Sequence, residues 1–201
     1  MENEALIDQT VKNALRARYQ GPERHYHGLA HIEAMLALAR ENRALLDDFE
    51  AVEAAIWFHD AVYDSRAKDN EARSAMLARE MLAGHTDPER LSRIEGMILA
   101  TATHEPPDLG EARADSDAAL LLDMDLSVLG ASPDVFDAYE HAVRREYQWV
   151  EEAMWRAGRS AVLKSFLTRP RIFQTEPFRQ RLEAQARKNL ERSLQALQGT
   201  V

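Results

Sequence analysis

A histidine followed by an aspartate, inside an apolar run, is the first feature of this chain that could do chemistry. Residues 56–64 read IWFHDAVYD, so His59 and Asp60 interrupt a stretch that would suit the centre of a helical core. An ionised carboxylate in apolar surroundings is costly unless a cation or several donors compensate it. The adjacent imidazole indicates a metal ion, with His59 and Asp60 as neighbouring ligands and the other ligands on separate helices. The alternative is a buried pair that an arginine satisfies.

Further histidines and aspartates lie at the ends of other apolar stretches. His27 and His31 are four residues apart, so on a helix they would share one face. Their surroundings are not the HExxH zinc motif, because the glutamate after the first histidine is missing. His104 ends one apolar run, and Asp123 and Asp125 follow another. The fold would have to bring these side chains to the histidine–aspartate pair.

The composition excludes several kinds of site and partner. The chain has 201 residues and no cysteine, which rules out disulfides, thiolate zinc sites and cysteine nucleophiles. Its net charge of −9 disfavours nucleic acid or an anionic membrane as a partner, but a bound divalent cation could still attract a small phosphorylated substrate. No apolar run approaches membrane-spanning length, and the acidic N-terminal sequence MENE lacks the features of a signal peptide. We therefore expect a cytoplasmic protein without a nucleic-acid or membrane partner.

Apolar residues recur at helical spacing along almost the whole chain, and no strand pattern or hairpin turn stands out. The pattern predicts an all-α fold. The clearest break, at residues 105–110, has the length of an ordinary connection, which favours a single domain over residues 1–201. Asp87 and Ser132, each followed by proline, predict helix starts, and Gly84 predicts a helix end. The predicted helices cover about residues 2–18, 27–42, 49–63, 70–84, 88–105, 112–122, 133–149, 151–167 and 177–197.

The order of the candidate residues resembles a known signature. A histidine, a His-Asp pair, a later histidine and a later aspartate occur in this order in the HD superfamily of metal-dependent phosphohydrolases. The chain is most similar to a branch of small bacterial proteins described as predicted metal-dependent HD-superfamily phosphohydrolases. The similar segments span roughly residues 19–190 and include residues 24–32, 58–64, 70–74, 103–104, 123–130, 144–147, 159–167 and 186–190.

This resemblance implies one all-α HD-type domain with four metal ligands, namely His31, His59, Asp60 and Asp125. His31 matches the first histidine of the signature because an apolar residue follows it. Asp125 matches the final aspartate of the family, in a segment similar to that of the cyclic-nucleotide phosphodiesterases. Asp123 is then expected to contact a ligand side chain without binding the metal, or to substitute for one of the ligands.

The resemblance also suggests roles for residues around the ligands. Cyclic-nucleotide phosphodiesterases share a Tyr-His-x-x-x-His arrangement whose first histidine is a general acid, so His27 is the expected proton donor. His104 is expected either to bind a second metal ion or to donate a hydrogen bond to phosphate. Arg24 could grip phosphate with its planar guanidinium or form a surface ion pair. Asp64 and Glu71 could orient the attacking water.

Two imidazoles and two carboxylates fill part of an octahedral shell and leave positions for water and a substrate oxygen. This set suits Mn²⁺, Fe²⁺, Co²⁺, Ni²⁺ or Mg²⁺ better than a closed structural zinc site, although zinc could also bind. The implied reaction is hydrolysis of a phosphoester or phosphoanhydride in a small phosphorylated substrate, expected to be a nucleotide. Two other functions stay open: a non-enzymatic nucleotide-binding regulatory module, and an HD-type di-iron oxygenase, which generally takes extra histidine ligands.

Overall fold

The computed structural model describes residues 6–199, and this part of the chain is built from nine α-helices. No β-strand occurs within it apart from an isolated bridge between Ala83 and Thr86, so the all-α prediction is confirmed. No helix in the described range is long and apolar enough to cross a membrane. The helices are α1 (Gln9–Arg18), α2 (Leu29–Glu41), α3 (Phe49–Phe58), α4 (Asn70–Leu82), α5 (Pro88–Ala100), α6 (Ala112–Asp125), α7 (Pro133–Glu146), α8 (Glu152–Leu167) and α9 (Glu176–Gln198), with short 3₁₀ helices at Arg43–Leu45 and Leu126–Gly130.

Local sequence sets several helix ends as predicted. Asp87 is the N-cap of α5 and its side chain accepts a hydrogen bond of 2.8 Å from the Arg90 amide. Ser132 precedes the proline that opens α7. Gly84 follows α4 with a φ of +85°, a left-handed conformation that glycine adopts without steric cost. These termini follow from the local chain alone.

Two predicted helix starts are wrong. α1 begins at Gln9, and residues 2–5 of the predicted first helix lie outside the described range. α2 begins at Leu29 because Gly28 is its N-cap and has an extended backbone. His27 therefore precedes the helix, and it does not share a helical face with the histidine four residues later.

The predicted C-terminal end of the third helix is also wrong. α3 stops at Phe58, five residues before the expected end. The carbonyl oxygens of Asp60 and Ala61 accept hydrogen bonds from Arg24, at 2.7 and 3.2 Å. The backbone after α3 is thus bound by a side chain from a distant part of the sequence.

The chain divides into two compact units, Met1–Asp125 and Leu126–Val201, and the predicted single domain stays a prediction. In the first unit, α3 packs against α1, α2, α4, α5 and α6. Every residue from Ala54 to Phe58 is buried, as expected for a helix surrounded on all sides. His59 and Asp60 follow directly, with exposures of 2% and 9%. The histidine–aspartate pair therefore lies in the interior of its unit, because it directly follows the most apolar helix.

The second unit contains α7, α8, α9 and the 3₁₀ segment Leu126–Gly130. α9 packs against α8 and against this segment. The buried side-chain amide of Asn189 in α9 donates hydrogen bonds of 2.9 Å to the carbonyl oxygens of Leu129 and Ala131. One polar side chain of α9 thereby provides hydrogen bonds to two backbone carbonyl oxygens at the place where the 3₁₀ segment packs against the helix.

Two glycines of the second unit provide a matched stability test. A Cβ at Gly130 would lie 2.5 Å from Leu182 Cβ and 2.8 Å from its carbonyl oxygen, whereas a Cβ at Gly158 would have nothing within 4 Å. Gly130→Ala should lower the free energy of unfolding by about 1–3 kcal/mol through overpacking. Gly158→Ala, on the exposed face of α8, should raise it by about 0.5–1 kcal/mol through helix propensity. Urea unfolding followed by circular dichroism measures both, and equal effects would contradict the packing described.

Candidate metal centre

His59 is the C-cap residue of α3 and its ring is buried. Ring atom Nδ1 lies 2.9 Å from the carbonyl oxygen of Ile56. Because a carbonyl can only accept, Nδ1 carries the hydrogen and Nε2 of the neutral ring has a free lone pair. This Nε2 atom is buried and has no hydrogen-bond partner. The Ile56 carbonyl thus fixes the tautomer that a metal ligand needs.

His31 presents a second nitrogen of the same kind. It lies in the first turn of α2, is buried, and its Nε2 atom also lacks a hydrogen-bond partner. The centroids of the His31 and His59 rings are 5.4 Å apart. Buried polar atoms are nearly always satisfied, so two imidazole nitrogens without a hydrogen bond in one place form an arrangement that one shared cation could satisfy.

Asp125 at the end of α6 completes a group of three. Its Oδ1 atom lies 3.0 Å from His31 Nε2 and 3.8 Å from His59 Nε2, and all three ligand atoms lie within 4.8 Å of one another. Ligand atoms about 2.1 Å from a shared ion are about 3.0 Å apart when adjacent and about 4.2 Å apart when opposite. These three side chains could therefore hold one metal ion, and no second group of this kind occurs within residues 6–199.

Asp60, the fourth predicted ligand, lies beside the same imidazoles. Its Oδ2 atom is 3.2 Å from His59 Nε2 and 4.0 Å from His31 Nε2. Burial raises the pKa of the Asp60 carboxyl, but the imidazoles of His59, His27 and His31 outweigh burial and bring this pKa well below its usual range. Asp60 is thus an ionised carboxylate at the edge of the group.

The charges of this cluster depend on one another. Burial raises the pKa of Asp125, but the hydrogen bond from His104 and the imidazoles of His31 and His59 lower it well below its usual range. Burial lowers the pKa of His59, but the Asp60 and Asp125 carboxylates raise it to about 9. The carboxylates therefore attract positive charge to His59, and a metal ion bound there would displace that proton.

His104 contacts the other oxygen of Asp125. Its Nε2 atom lies 2.9 Å from Asp125 Oδ2, whereas His31 and His59 face Oδ1. His104 has a φ of +52°, the one positive φ of a non-glycine residue between residues 6 and 199. Such a conformation costs on the order of 1 kcal/mol, which the contact with Asp125 helps to offset. Whether His104 binds a second ion or phosphate stays a prediction.

Arg24 joins the two segments that carry the histidines. Its Nη1 atom donates hydrogen bonds of 2.7 Å to the carbonyl oxygens of His27 and Asp60, and Nη2 donates one of 3.2 Å to that of Ala61. The chain before α2 is thereby fixed to the chain after α3. Arg24 thus has a backbone-binding role that the sequence did not indicate, while its expected contact with phosphate stays a prediction.

His27 lies next to the group without belonging to it. Its half-buried ring is stacked on Tyr63, with centroids 4.4 Å apart and planes at 24°. The Tyr26 ring meets it edge-on at 5.0 Å, and the His31 ring centroid is 6.5 Å away. His27 also lowers the pKa of Asp60 through its charge. This position is compatible with the expected proton donor.

The three predicted supporting acids lie outside the group of ligands. Asp123 is fully buried, but it is two residues before Asp125 in α6, and side chains two residues apart on a helix point about 200° apart. Asp64 is exposed and accepts a hydrogen bond of 2.9 Å from the Arg66 amide. Glu71 is a half-buried residue in the first turn of α4. Their expected roles stay predictions.

Two residues that position the site were not predicted from the sequence as site residues. Asn70 exchanges two hydrogen bonds of 3.0 Å with the backbone of Asp64. Ser74 binds the backbone N–H and C=O of Val62, at 3.1 and 3.3 Å. Both side chains are buried and lie on one face of α4. Two small polar residues four apart, just after the histidine–aspartate segment, are the signal that could have revealed them.

Comparison with protein-family models, with curated proteins and with solved structures finds no match to this chain. The resemblance to the HD superfamily therefore rests on the order of its motifs. The convergence of His31, His59 and Asp125 is a separate observation, made on the fold.

Removal of one ligand should weaken metal binding. We expect His59→Ala and Asp125→Ala to bind Mn²⁺ at least about tenfold more weakly than the wild type, because each removes a ligand from a small set. His85→Ala is the control, since His85 is exposed in the connection between α4 and α5. Isothermal titration with Mn²⁺ measures the affinities. Unchanged affinity in both ligand variants would contradict the assignment.

Loss of Arg24 should destabilise the fold through the backbone that it binds. A hydrogen bond to a charged group contributes about 1.5–3 kcal/mol, so loss of the three that Arg24 donates should lower the free energy of unfolding of Arg24→Met by at least about 2 kcal/mol. Arg24→Lys should not restore it, because an ammonium group cannot reproduce the guanidinium fork. Arg18→Met, at an exposed position of α1, is the control. Urea unfolding that gives equal stabilities for both methionine variants would contradict this role.

Proposed function

We propose that this chain is a metal-dependent phosphohydrolase that cleaves a phosphoester or phosphoanhydride bond of a nucleotide or a similar small phosphorylated molecule. The observation that carries the proposal is the pair of buried Nε2 atoms of His31 and His59, which make no hydrogen bond and face the Asp125 carboxylate. These residues come from three different helices. The order of the same residues in the sequence resembles the HD signature, and this supports the assignment independently.

The donor set favours catalysis over a structural role. Structural zinc sites are closed by four protein ligands, usually with cysteine among them, and this chain has no cysteine. Two imidazoles with one or two carboxylates leave coordination positions open. A divalent ion bound there would supply Lewis acidity and lower the pKa of a water molecule. Mn²⁺, Fe²⁺, Co²⁺, Ni²⁺ and Mg²⁺ are the expected ions, and Zn²⁺ is an alternative.

The proposed hydrolysis needs one water and three proton transfers. The water oxygen forms a bond to phosphorus, and the bond from phosphorus to the leaving oxygen breaks with its electron pair on that oxygen. His27 donates a proton to the leaving oxygen, an effect worth about 10²–10⁴-fold. The water loses its proton to solvent, and solvent returns a proton to His27. Asp60 accepts a hydrogen bond from the water, and His104 holds the Asp125 carboxylate.

A substrate screen with an isosteric variant tests the proposal. Wild-type protein loaded with each divalent metal should release phosphate, or a phosphorylated product, from at least one class of phosphorylated metabolite. Asp60→Asn should lower kcat/KM by at least about 100-fold, because a charge that acts in the transition state is removed. Asp69→Asn is the control, since Asp69 is exposed and makes no side-chain cap contact.

The outcomes separate the remaining functions. Full activity of Asp60→Asn at matched metal occupancy would contradict the mechanism. Saturable nucleotide binding without turnover under any metal would favour the regulatory module. Two iron ions per chain together with oxygen consumption would favour the di-iron oxygenase.

A further inference from the structure

Residues 60–64, which follow α3, are held more tightly than a connecting loop requires. Arg24 binds the carbonyl oxygens of the first two residues. Ser74 binds the N–H and C=O of the third, and Asn70 binds those of the fifth. The fourth residue is Tyr63, and it is therefore anchored from both sides. This arrangement fixes the direction in which its side chain leaves the backbone.

The anchored tyrosine contacts the ring of His27. The two rings are stacked at 4.4 Å with an angle of 24°. The Arg24 guanidinium lies 5.5 Å from the centroid of the Tyr63 ring and also binds the His27 carbonyl oxygen. Tyr26 meets the edge of the His27 ring at 5.0 Å. His27 precedes α2, so its imidazole is oriented by contacts outside the helix, and the stacking on Tyr63 is one of them.

The orientation of a proton donor decides how well it works. A donor must lie within hydrogen-bond reach of the atom that it protonates, and a displacement of about 1 Å can cost about 100-fold in rate. The metal ligands His31 and His59 are set by their own helices. The proposed donor, His27, precedes its helix, so contacts outside the helix hold its ring.

We propose that Tyr63 is a positioning residue whose ring face holds the His27 imidazole toward the metal centre. The proposal rests on the proposed function, in which His27 protonates the leaving oxygen. The stacked contact joins the faces of the two rings. Tyr63→Phe should therefore preserve the role, and Tyr63→Leu should remove it.

Leaving-group dependence distinguishes positioning from general packing. With an alkyl phosphate, whose leaving oxygen needs a proton, Tyr63→Leu should lower kcat by about 10–100-fold. With a nitrophenyl phosphate, whose leaving group departs without a proton, the change should stay within about threefold. KM and metal content should be unchanged, and Tyr63→Phe should stay within about threefold of the wild type on both substrates. An equal loss on both substrates would overturn the proposal.

A double variant tests whether Tyr63 acts through His27. His27→Ala should show the same leaving-group dependence, and adding Tyr63→Leu to it should cause little further loss, because the two residues act as a unit. Additive losses would overturn the proposal. If Tyr63→Leu does not fold, Ser74→Ala serves instead, since it loosens the segment that carries Tyr63 without touching the rings. Ser74→Ala should show the same dependence of kcat on the leaving group, with a smaller loss. Equal effects on both substrates would overturn the proposal.

A measurement that does not need activity separates this inference from the proposed function. A ring stacked on tyrosine has its proton NMR signals shifted upfield by the ring current. The His27 ring signals should move downfield in Tyr63→Leu and stay in place in Tyr63→Phe. Unchanged signals in the leucine variant would overturn the positioning role. Shifted signals without turnover of any substrate would contradict the proposed function and leave the structural part intact.

Discussion

The structure of the first unit depends on how it compensates ionisable groups buried at the end of its most apolar helix. α3 is surrounded by five other helices, and it delivers His59 and Asp60 into the interior. Buried carboxylates are costly without a cation, and Asp125 adds a second one within 3.8 Å of His59. Two imidazole nitrogens face these carboxylates without making a hydrogen bond. A divalent ion would satisfy the nitrogens and the carboxylates together.

The surrounding elements serve this centre in two different ways. α2 and α6 supply ligand atoms, and the chain after α5 supplies His104, which binds the outer oxygen of Asp125. Arg24, Asn70 and Ser74 instead bind the backbone around the histidine–aspartate pair. Helices thus fix the ligands, whereas side chains from elsewhere in the unit fix residues 60–64, which follow α3. These side-chain contacts explain how Tyr63, in a non-helical segment, can keep its ring stacked on that of His27.

The sequence predicts the parts of this arrangement that local physics determines. Helical periodicity, the Asp87 and Ser132 starts and the Gly84 end appear in the structure. Three of the four predicted ligands lie together in a group that could hold a metal ion. The early end of α3 could not be predicted, because it depends on a guanidinium more than thirty residues away in the chain. The left-handed backbone of His104 likewise depends on a tertiary contact, the one with Asp125. Asn70 and Ser74 leave only their four-residue spacing as a signal in the sequence.

The central claim is that one divalent ion lies between His31, His59 and Asp125, with Asp60 beside it. Anomalous diffraction at the manganese edge, from crystals grown with Mn²⁺, tests this most directly. The account predicts one strong peak about 2.1–2.3 Å from both Nε2 atoms and from Oδ1 of Asp125. The absence of a peak, with the two nitrogens hydrogen-bonded to water instead, would contradict it.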